Sequence, residues 1–276
     1  MARGYLSLCA IILWLCCGYG SAGKVEPFDD NYIADWGQQQ FTYLNDRTQV
    51  QIQIDESSGG GFRSKDAYGS GYFQISLKIP KNTTGIATTF YDYAQAGNHD
   101  ELDFELLGVR GSRYVLSTNV FAQDNGHREQ QFNLWFDPSS DFHDYAILWN
   151  PKQIVFYVDK IPVRVFKNNT QNGANYPKLP MYIHGSLWNA SQWLGPTDWS
   201  KGPFYASYRG FGVRYGCSTT AKPNPQQDCA SLRYPWNNWQ LSAKEEKMYE
   251  LIKKRYIVYD YCKSGSGKNF PECHIA

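Results

Sequence analysis

The 276-residue sequence has no marked excess of either charge, since 27 Lys and Arg residues face 26 Asp and Glu residues. Without a basic excess nothing points to nucleic acid, and without an acidic excess nothing points to a cationic partner. Long apolar runs are scarce too: the longest, Leu6 to Cys17, is too short to span a bilayer. The sequence therefore predicts no nucleic-acid partner and no membrane span.

That apolar run predicts a secretory signal over residues 1–22, with Arg3 as its positive start and Gly20-Ser21-Ala22 as its small-residue cleavage site. Because Arg3 is the only charged residue before Lys24, its removal changes the formal charge from +1 to zero. We expect a secreted, neutral protein. Aromatic residues reach 16%, and their flat faces suit neutral sugar rings, which favours a neutral polysaccharide as partner.

The cysteines lack CxxC spacing, which argues against a zinc site. Four cysteines remain once the predicted signal is removed, and an even number in an exported chain indicates disulfides. Four cysteines allow three pairings, of which the two local ones are the simplest. These would join Cys217 to Cys229 and Cys262 to Cys273.

Most of the chain is predicted to form short β-strands. Apolar and polar residues alternate over Val50–Ile54 and Phe73–Ile79, as in half-buried strands. Residues 159–162 are expected to join two strands as a hairpin. Many short strands separated by turn residues predict an all-β antiparallel sandwich. The further predicted strands are Tyr114–Phe121, Tyr145–Trp149, Ile154–Val158, Val163–Phe166 and Met181–Leu187.

The composition changes near residue 215, and residues 217–240 are rich in Pro, Asn and Gln. A helix is predicted after Ser242, which forms a capping box with Glu245. Its apolar stripe, Met248, Leu251, Ile252 and Tyr256, is expected to dock on the sandwich. The predicted organisation is therefore a signal over 1–22, a β-domain over 23–215 and a packed extension over 216–276.

Three acids alternate with three apolar residues where Glu101, Asp103 and Glu105 interleave with Leu102, Phe104 and Leu106. Side chains two apart share one face of a strand, so the acids project together. Four residues of strand span ~13 Å, and two inclined glutamates would bring their carboxyls to about 5–6 Å. That separation is typical of a retaining glycosidase, which needs neither metal nor organic cofactor.

Close carboxyls raise one another's pKa, so at least one of the three is expected to keep its proton. An acid and a nucleophile then arise from the same residue type. Two other interpretations of the acidic run stay open. One is a solvated strand face, and the other is a calcium site built from the same oxygens.

Several motifs, in order along residues 25–273, resemble the plant xyloglucan endotransglucosylase/hydrolases of glycoside hydrolase family sixteen. The chain shares with that family His99–Gly108, Thr118–Phe121, Arg128–Phe132, Leu134–Pro138, Ile147–Pro151, Leu187–Ala190, Asp198–Lys201, Ala206–Phe211 and Tyr259–Cys262. The resemblance implies a curved β-jelly-roll with an open cleft. It also implies that Glu101 is the nucleophile, that Glu105 is the acid/base and that Asp103 positions the nucleophile.

The resemblance also implies sugar contacts, each with an alternative. Asn119 is either a sugar ligand or a partner of buried backbone, and Arg128 either binds sugar or pairs with Glu129. Trp188 ends a strand and fits the core as well as the cleft. The full expected set is Asn119, Arg128, Glu129, Trp188, Gln192 and Trp193.

Three further features of the sequence bear on the site and its surroundings. Asn269 stands before Phe270-Pro271 where the family often has Arg, so Lys268 or Arg255 would have to replace that acceptor-side contact. Sequons occur at Asn82, Asn168 and Asn189. His99, His127, His143 and His184 are interpreted as structural or hydrogen-bonding residues.

The predicted function is retaining transfer between xyloglucan chains, with polymer as donor and polymer or oligosaccharide as acceptor, by a secreted monomer in the cell wall. A strict endo-hydrolase of xyloglucan or mixed-linkage glucan is the first alternative. A non-catalytic lectin-like module is the second, and the complete acidic triplet argues against it.

Overall fold

The computed structural model describes residues 25–109, 111, 113–123, 125–220 and 224–274. The predicted secretory signal at 1–22 lies outside the described residues. Among those that are described, no helix combines the length and apolar character needed to cross a membrane.

Antiparallel strands form two layers that share one long strand. The first half of that strand, β4, pairs with β1 and β12, and its second half pairs with β9 and β13. The strands are β1 (Tyr32–Trp36), β2 (Phe41–Leu44), β3 (Gln49–Ile54), β4 (Gly60–Lys78), β5 (Ile86–Tyr93), β6 (Glu101–Val109), β7 (Arg113–Phe121), β8 (Gln130–Asn133), β9 (His143–Trp149), β10 (Gln153–Val158), β11 (Ile161–Lys167), β12 (Met181–Asn189), β13 (Phe204–Arg209), β14 (Tyr215–Ser218) and β15 (Ile257–Asp260).

The order β12-β5-β6-β7-β8-β15 places β6 in the interior of one sheet, so both of its edges are hydrogen-bonded. The apolar face of β6 packs against the other layer. Phe104 is fully buried, and its ring centroid lies 5.6 Å from that of Tyr145 and 5.1 Å from that of Phe156. This packing confirms the all-β sandwich and turns the acidic face of β6 outward.

The hairpin between β10 and β11 is tighter than predicted. Asp159 and Lys160, both with positive φ, make a two-residue turn, whereas the sequence indicated a four-residue connection. Pro162 instead lies inside β11. It is tolerated because β11 is an edge strand, where a missing backbone N–H removes no internal ladder bond.

The segment after residue 215 adds to both layers. β14 pairs with β4, and β15 extends the sheet of β6 by pairing with β8. The two local disulfides, Cys217–Cys229 and Cys262–Cys273, are confirmed. The helices are α1 (Phe28–Asn31), α2 (Ser191–Leu194), α3 (Pro225–Cys229) and α4 (Ala243–Arg255).

Helix α4 begins as predicted, because the capping box between Ser242 and Glu245 is present. Its docking stripe differs from the expected one. Ile252 is buried, but Leu251 is 38% exposed. The backbone N–H of Val165, on the edge strand β11, instead bonds the phenol oxygen of Tyr249. The helix therefore covers a sheet edge with a polar contact as well as an apolar one.

Candidate active site

The acidic face of β6 forms the floor of a cleft of about 460 Å³. The cross-strand register fixes the neighbours of each acid. Glu101 lies opposite Tyr93 and Phe121, Asp103 opposite Tyr91 and Asn119, and Glu105 opposite Thr89 and Ser117. All three carboxyls therefore line one groove between β5 and β7.

Glu105 has a raised pKa, at about 7. Burial is the main cause, and the negative charges of Glu101 and Glu129 raise the pKa further. A carboxyl with this pKa is mostly protonated below pH 7 and about half protonated at pH 7. It can therefore donate that proton to a leaving group as a general acid.

Asp103 and Glu101 share a hydrogen bond. Burial, followed by the charges of Glu101 and Glu105, raises the pKa of Asp103 well above its usual range, so Asp103 stays protonated and donates to Glu101. Burial also raises the pKa of Glu101, but this hydrogen bond and His99 oppose the rise. His99 Nε2 lies 3.1 Å from Glu101 Oε2. Glu101 is thus the carboxyl of the three whose ionised form receives the most support.

Asn119 lies in the cleft next to these acids, whereas Glu129, to which it is hydrogen-bonded, is not among the described residues that line the cleft. The Asn119 amide donates to Glu129 Oε1 at 3.3 Å, and its Oδ1 accepts from the backbone N–H groups of Val120 and Arg128. Asn119 lines the cleft and also satisfies buried backbone, which confirms its backbone role, while its contact with sugar stays a prediction. Glu129 is near enough to Glu105 to affect the pKa of that acid.

Arg128 does not join the cleft residues. It is 1% exposed, and its guanidinium is paired with Glu272 at 2.6 Å. Its Cζ atom also lies 4.6 Å from the ring centroid of Phe270. Both sequence-based interpretations of this side chain, sugar contact and pairing with Glu129, are therefore wrong. Tertiary packing brings it the carboxylate of a residue 144 positions away.

The two tryptophans lie side by side at the Glu105 end of the cleft. Trp188 is half-buried and lines the cleft. Of the two positions expected for it, cleft and core, it occupies the cleft. Trp193 is 54% exposed on α2, with its ring centroid 6.4 Å from that of Trp188. Gln192, on the same short helix, is exposed. An exposed indole beside a half-buried one is a surface on which a sugar ring can stack.

The cleft residues that sequence analysis did not assign to the site include Asp35, Tyr91, Tyr93 and His184. His184 is buried and stacks on Tyr91 at 4.8 Å between ring centroids. Burial lowers the pKa of His184 to about 4, so this imidazole is neutral. The alternation Thr89, Tyr91, Tyr93 on β5 was a usable signal, because it has the same period as the acids on β6.

The remaining candidates lie elsewhere. Asn82 and Asn189 are exposed and Asn168 is half-buried, and their glycosylation stays a prediction. Arg255, Lys268 and Asn269 are exposed, and none of them is among the described residues that line the cleft. Within the described ranges, no group of three or more His, Cys, Asp or Glu residues is arranged to hold a metal ion, so the geometry gives no support to a calcium site.

Comparison with protein families matches residues 28–202 to Glycosyl hydrolases family 16. Two Arabidopsis thaliana proteins are similar over 85% of the chain. Xyloglucan endotransglucosylase/hydrolase protein 2 is 47% identical over 84% of its own length. Putative xyloglucan endotransglucosylase/hydrolase protein 1 is 49% identical over 81% of its length.

Among solved structures, a prokaryotic β-1,3-1,4-glucanase (lichenase) derived from a mouse hindgut metagenome is similar to this chain. It has a TM-score of 0.55 and 26% identity, with 67% of this chain and 94% of the lichenase covered. Crh5 transglycosylase, at 20% identity and a TM-score of 0.55 over 65% of this chain and 78% of its own, shares the fold.

Proposed function

Because the chain belongs to glycosyl hydrolase family 16 and, within it, to the xyloglucan endotransglucosylase/hydrolases, we propose that it cleaves the β-1,4-glucan backbone of xyloglucan and transfers the cleaved chain to another xyloglucan. The observation that carries this proposal is the divided protonation of the acids on β6. The raised pKa of Glu105 keeps it mostly protonated below pH 7, while Glu101 receives hydrogen bonds that support its ionised form.

In the first step Glu105 protonates the glycosidic oxygen, and the Glu101 carboxylate attacks the anomeric carbon. The bond to the leaving sugar breaks, and a covalent glycosyl-enzyme forms at Glu101. Asp103, which donates a hydrogen bond to Glu101, holds that carboxylate in the orientation for attack. The anomeric configuration is inverted once in this step.

In the second step the ionised Glu105 accepts a proton from an incoming hydroxyl, which attacks the same anomeric carbon and releases Glu101. This second inversion makes the overall reaction retaining. A sugar hydroxyl gives transfer and water gives hydrolysis. Transfer prevails when the acceptor is bound and oriented, and Trp188 and Trp193 supply aromatic surface for it at the Glu105 end.

The test is incubation of polymeric xyloglucan with a labelled xyloglucan oligosaccharide. Label that enters long chains supports transfer, and shortening of the polymer without incorporation identifies a strict endo-hydrolase. Binding without any change in chain length would leave only a lectin-like module. Parallel reactions with unsubstituted and mixed-linkage β-glucan define how far the donor range extends.

The same proposal implies where the protein works and in which oligomeric state. A chain that acts on wall xyloglucan works outside the cell, in keeping with the predicted signal at 1–22. We propose that it works as a monomer, since each chain carries both acids of the mechanism. Size-exclusion chromatography with light scattering tests that state.

A further inference from the structure

A second cavity, of about 600 Å³, lies apart from the catalytic cleft. It opens between β8 and β15 of the cleft sheet and β10 and β11 of the other layer, beneath α4. We call it the seam pocket and define it by Gln130, Gln153, Phe166, Tyr249, Tyr261 and Glu272. It shares no lining residue with the catalytic cleft.

Three polar side-chain atoms of this pocket are buried, and no described residue offers any of them a hydrogen bond. They are Gln130 Oε1, Gln153 Nε2 and Glu272 Oε2. Gln153 is only 7% exposed, and the Glu272 side chain only 5%. A buried polar atom without a partner costs about 1–3 kcal/mol. Three of them around one cavity indicate a site made for a polar occupant.

The other ends of two of these side chains are already fixed. Gln130 Nε2 donates to Asp260 Oδ1 at 3.2 Å, which assigns its free oxygen as an acceptor. Glu272 Oε1 accepts from Arg128 and from the Tyr261 hydroxyl, which leaves Oε2 open. Two acceptors beside the pocket are therefore held in place by the hydrogen bonds of their own side chains, as a preorganised site requires.

Hydroxyl groups match this pattern because each can donate to an acceptor and accept from a donor. The walls supply apolar rings, from the buried Phe166 and Tyr261 and the half-buried Tyr249. The rim carries more acid than base, with Glu246, Glu250 and Asp260 against Lys167 and Lys253. Such a rim disfavours an anionic ligand.

We propose that the seam pocket binds a neutral pyranose unit of a glycan, at a second carbohydrate site separate from the catalytic cleft. Gln153 Nε2 donates to a ring hydroxyl oxygen, while Gln130 Oε1 and Glu272 Oε2 accept from hydroxyls. The volume of about 600 Å³ is within the range of about 300–1,000 Å³ common for small-ligand sites. Such a site would retain the enzyme on wall glycan independently of turnover.

The test measures binding by the full chain carrying Glu101→Ala, so that no substrate is consumed. A neutral xyloglucan oligosaccharide is titrated calorimetrically, and two classes of site are expected. Adding Gln153→Leu is expected to weaken the second class at least about tenfold, because one directional hydrogen bond is lost. Gln153→Asn, which draws the amide back by one methylene, is expected to weaken it as well.

Gln74→Leu is the matched control, since Gln74 is half-buried on β4 and lies outside both cavities. D-glucose and D-glucuronate, titrated separately, test the preference for a neutral ring. A single class of site, equal weakening by Gln74→Leu, or equal binding of D-glucuronate would overturn the proposal. The readout is binding alone, so it holds or fails independently of the transfer assay.

Discussion

Two of the regions in which this molecule buries carboxyl groups differ in what lies beside each carboxyl. In the cleft, Glu101, Asp103 and Glu105 have one another as neighbours on β6. At the seam, where the residues near the C-terminus meet the loop before β8, Glu272 is paired with the guanidinium of Arg128. Like charges in the cleft keep protons in place, whereas the opposite charges of Arg128 and Glu272 attract each other and tie two distant segments together.

The difference separates function from stability. The cleft holds acids whose protonation is divided, and divided protonation is what acid and nucleophile chemistry requires. The seam holds a buried ion pair, which stabilises the fold by joining residues near the C-terminus to the loop before β8. The two regions meet at Asn119, which accepts from the Arg128 backbone N–H and donates to Glu129 beside Glu105.

The largest expected effect is that of Glu101→Ala, which removes the proposed nucleophile. We expect transfer to fall by at least about 10³-fold, as judged by label incorporation, because no glycosyl-enzyme can form. Folding should be retained, since the Glu101 side chain lines the cleft and is not part of the apolar core. Glu56→Ala, at an exposed loop, is the control. Undiminished transfer would show that the nucleophile lies elsewhere.

Glu272→Ala tests the opposite side of the comparison. It leaves the Arg128 charge buried without its carboxylate, and loss of one partner of a buried pair costs about 3–5 kcal/mol of unfolding free energy. Urea denaturation followed by tryptophan fluorescence measures this loss. Asp198→Ala breaks the exposed pair with Lys201 and is expected to change little. Equal effects of the two substitutions would contradict the distinction between buried and exposed pairs.

Asp92 sharpens the comparison, because it is fully buried and no described residue offers its carboxyl a hydrogen bond. Burial raises its pKa well above the usual value, so the folded state binds the proton more tightly than the unfolded state. The wild-type protein should then lose about 1.4 kcal/mol of unfolding free energy per pH unit above ~4, until the pH reaches the folded pKa.

Asp92→Asn removes that titration. Between pH 5 and 8, as long as the pH is below the raised pKa of Asp92, the unfolding free energy of the variant should therefore fall less than that of the wild type. Urea titrations at each pH compare the two proteins. Asp30→Asn, at an exposed position, is the control and should follow the wild type. Parallel profiles for Asp92→Asn and wild type would mean that Asp92 titrates normally.

The smallest expected effect is that of Glu129→Gln on the pH profile. Because Glu105 must be protonated in the first step, kcat/KM should fall as the pH rises above about 7. The negative charge of Glu129 helps to raise that pKa, so Glu129→Gln should move the alkaline limb to lower pH, by less than about one unit. Glu56→Gln serves as control. A limb that stays in place or moves upward would rule out this coupling.

Local patterns predicted well wherever the cause was local. The alternation on β6, the capping box of Ser242 and Glu245 and the two disulfides each join residues at most 12 positions apart in the chain. The hairpin turn was predicted less well, because the sequence did not reveal that β11 is an edge strand able to accept Pro162.

The predictions failed where the partner was remote. Arg128 was placed beside its chain neighbour Glu129, although its carboxylate partner is Glu272. Leu251 fitted the helical stripe but is exposed, since the layer beneath α4 ends at an edge strand that Tyr249 contacts instead. Periodicity tells which side chains share a face, and it does not tell what lies across from that face.

The amino-acid sequence by itself determined that three acids share one side of one strand, since the two-residue repeat of a β-strand is a property of the backbone. Tertiary structure alone decided how deeply those acids are buried, which of them keeps its proton, and which carboxylate reaches Arg128. The physical reason is that burial and charge pairing depend on atoms brought together from distant parts of the chain.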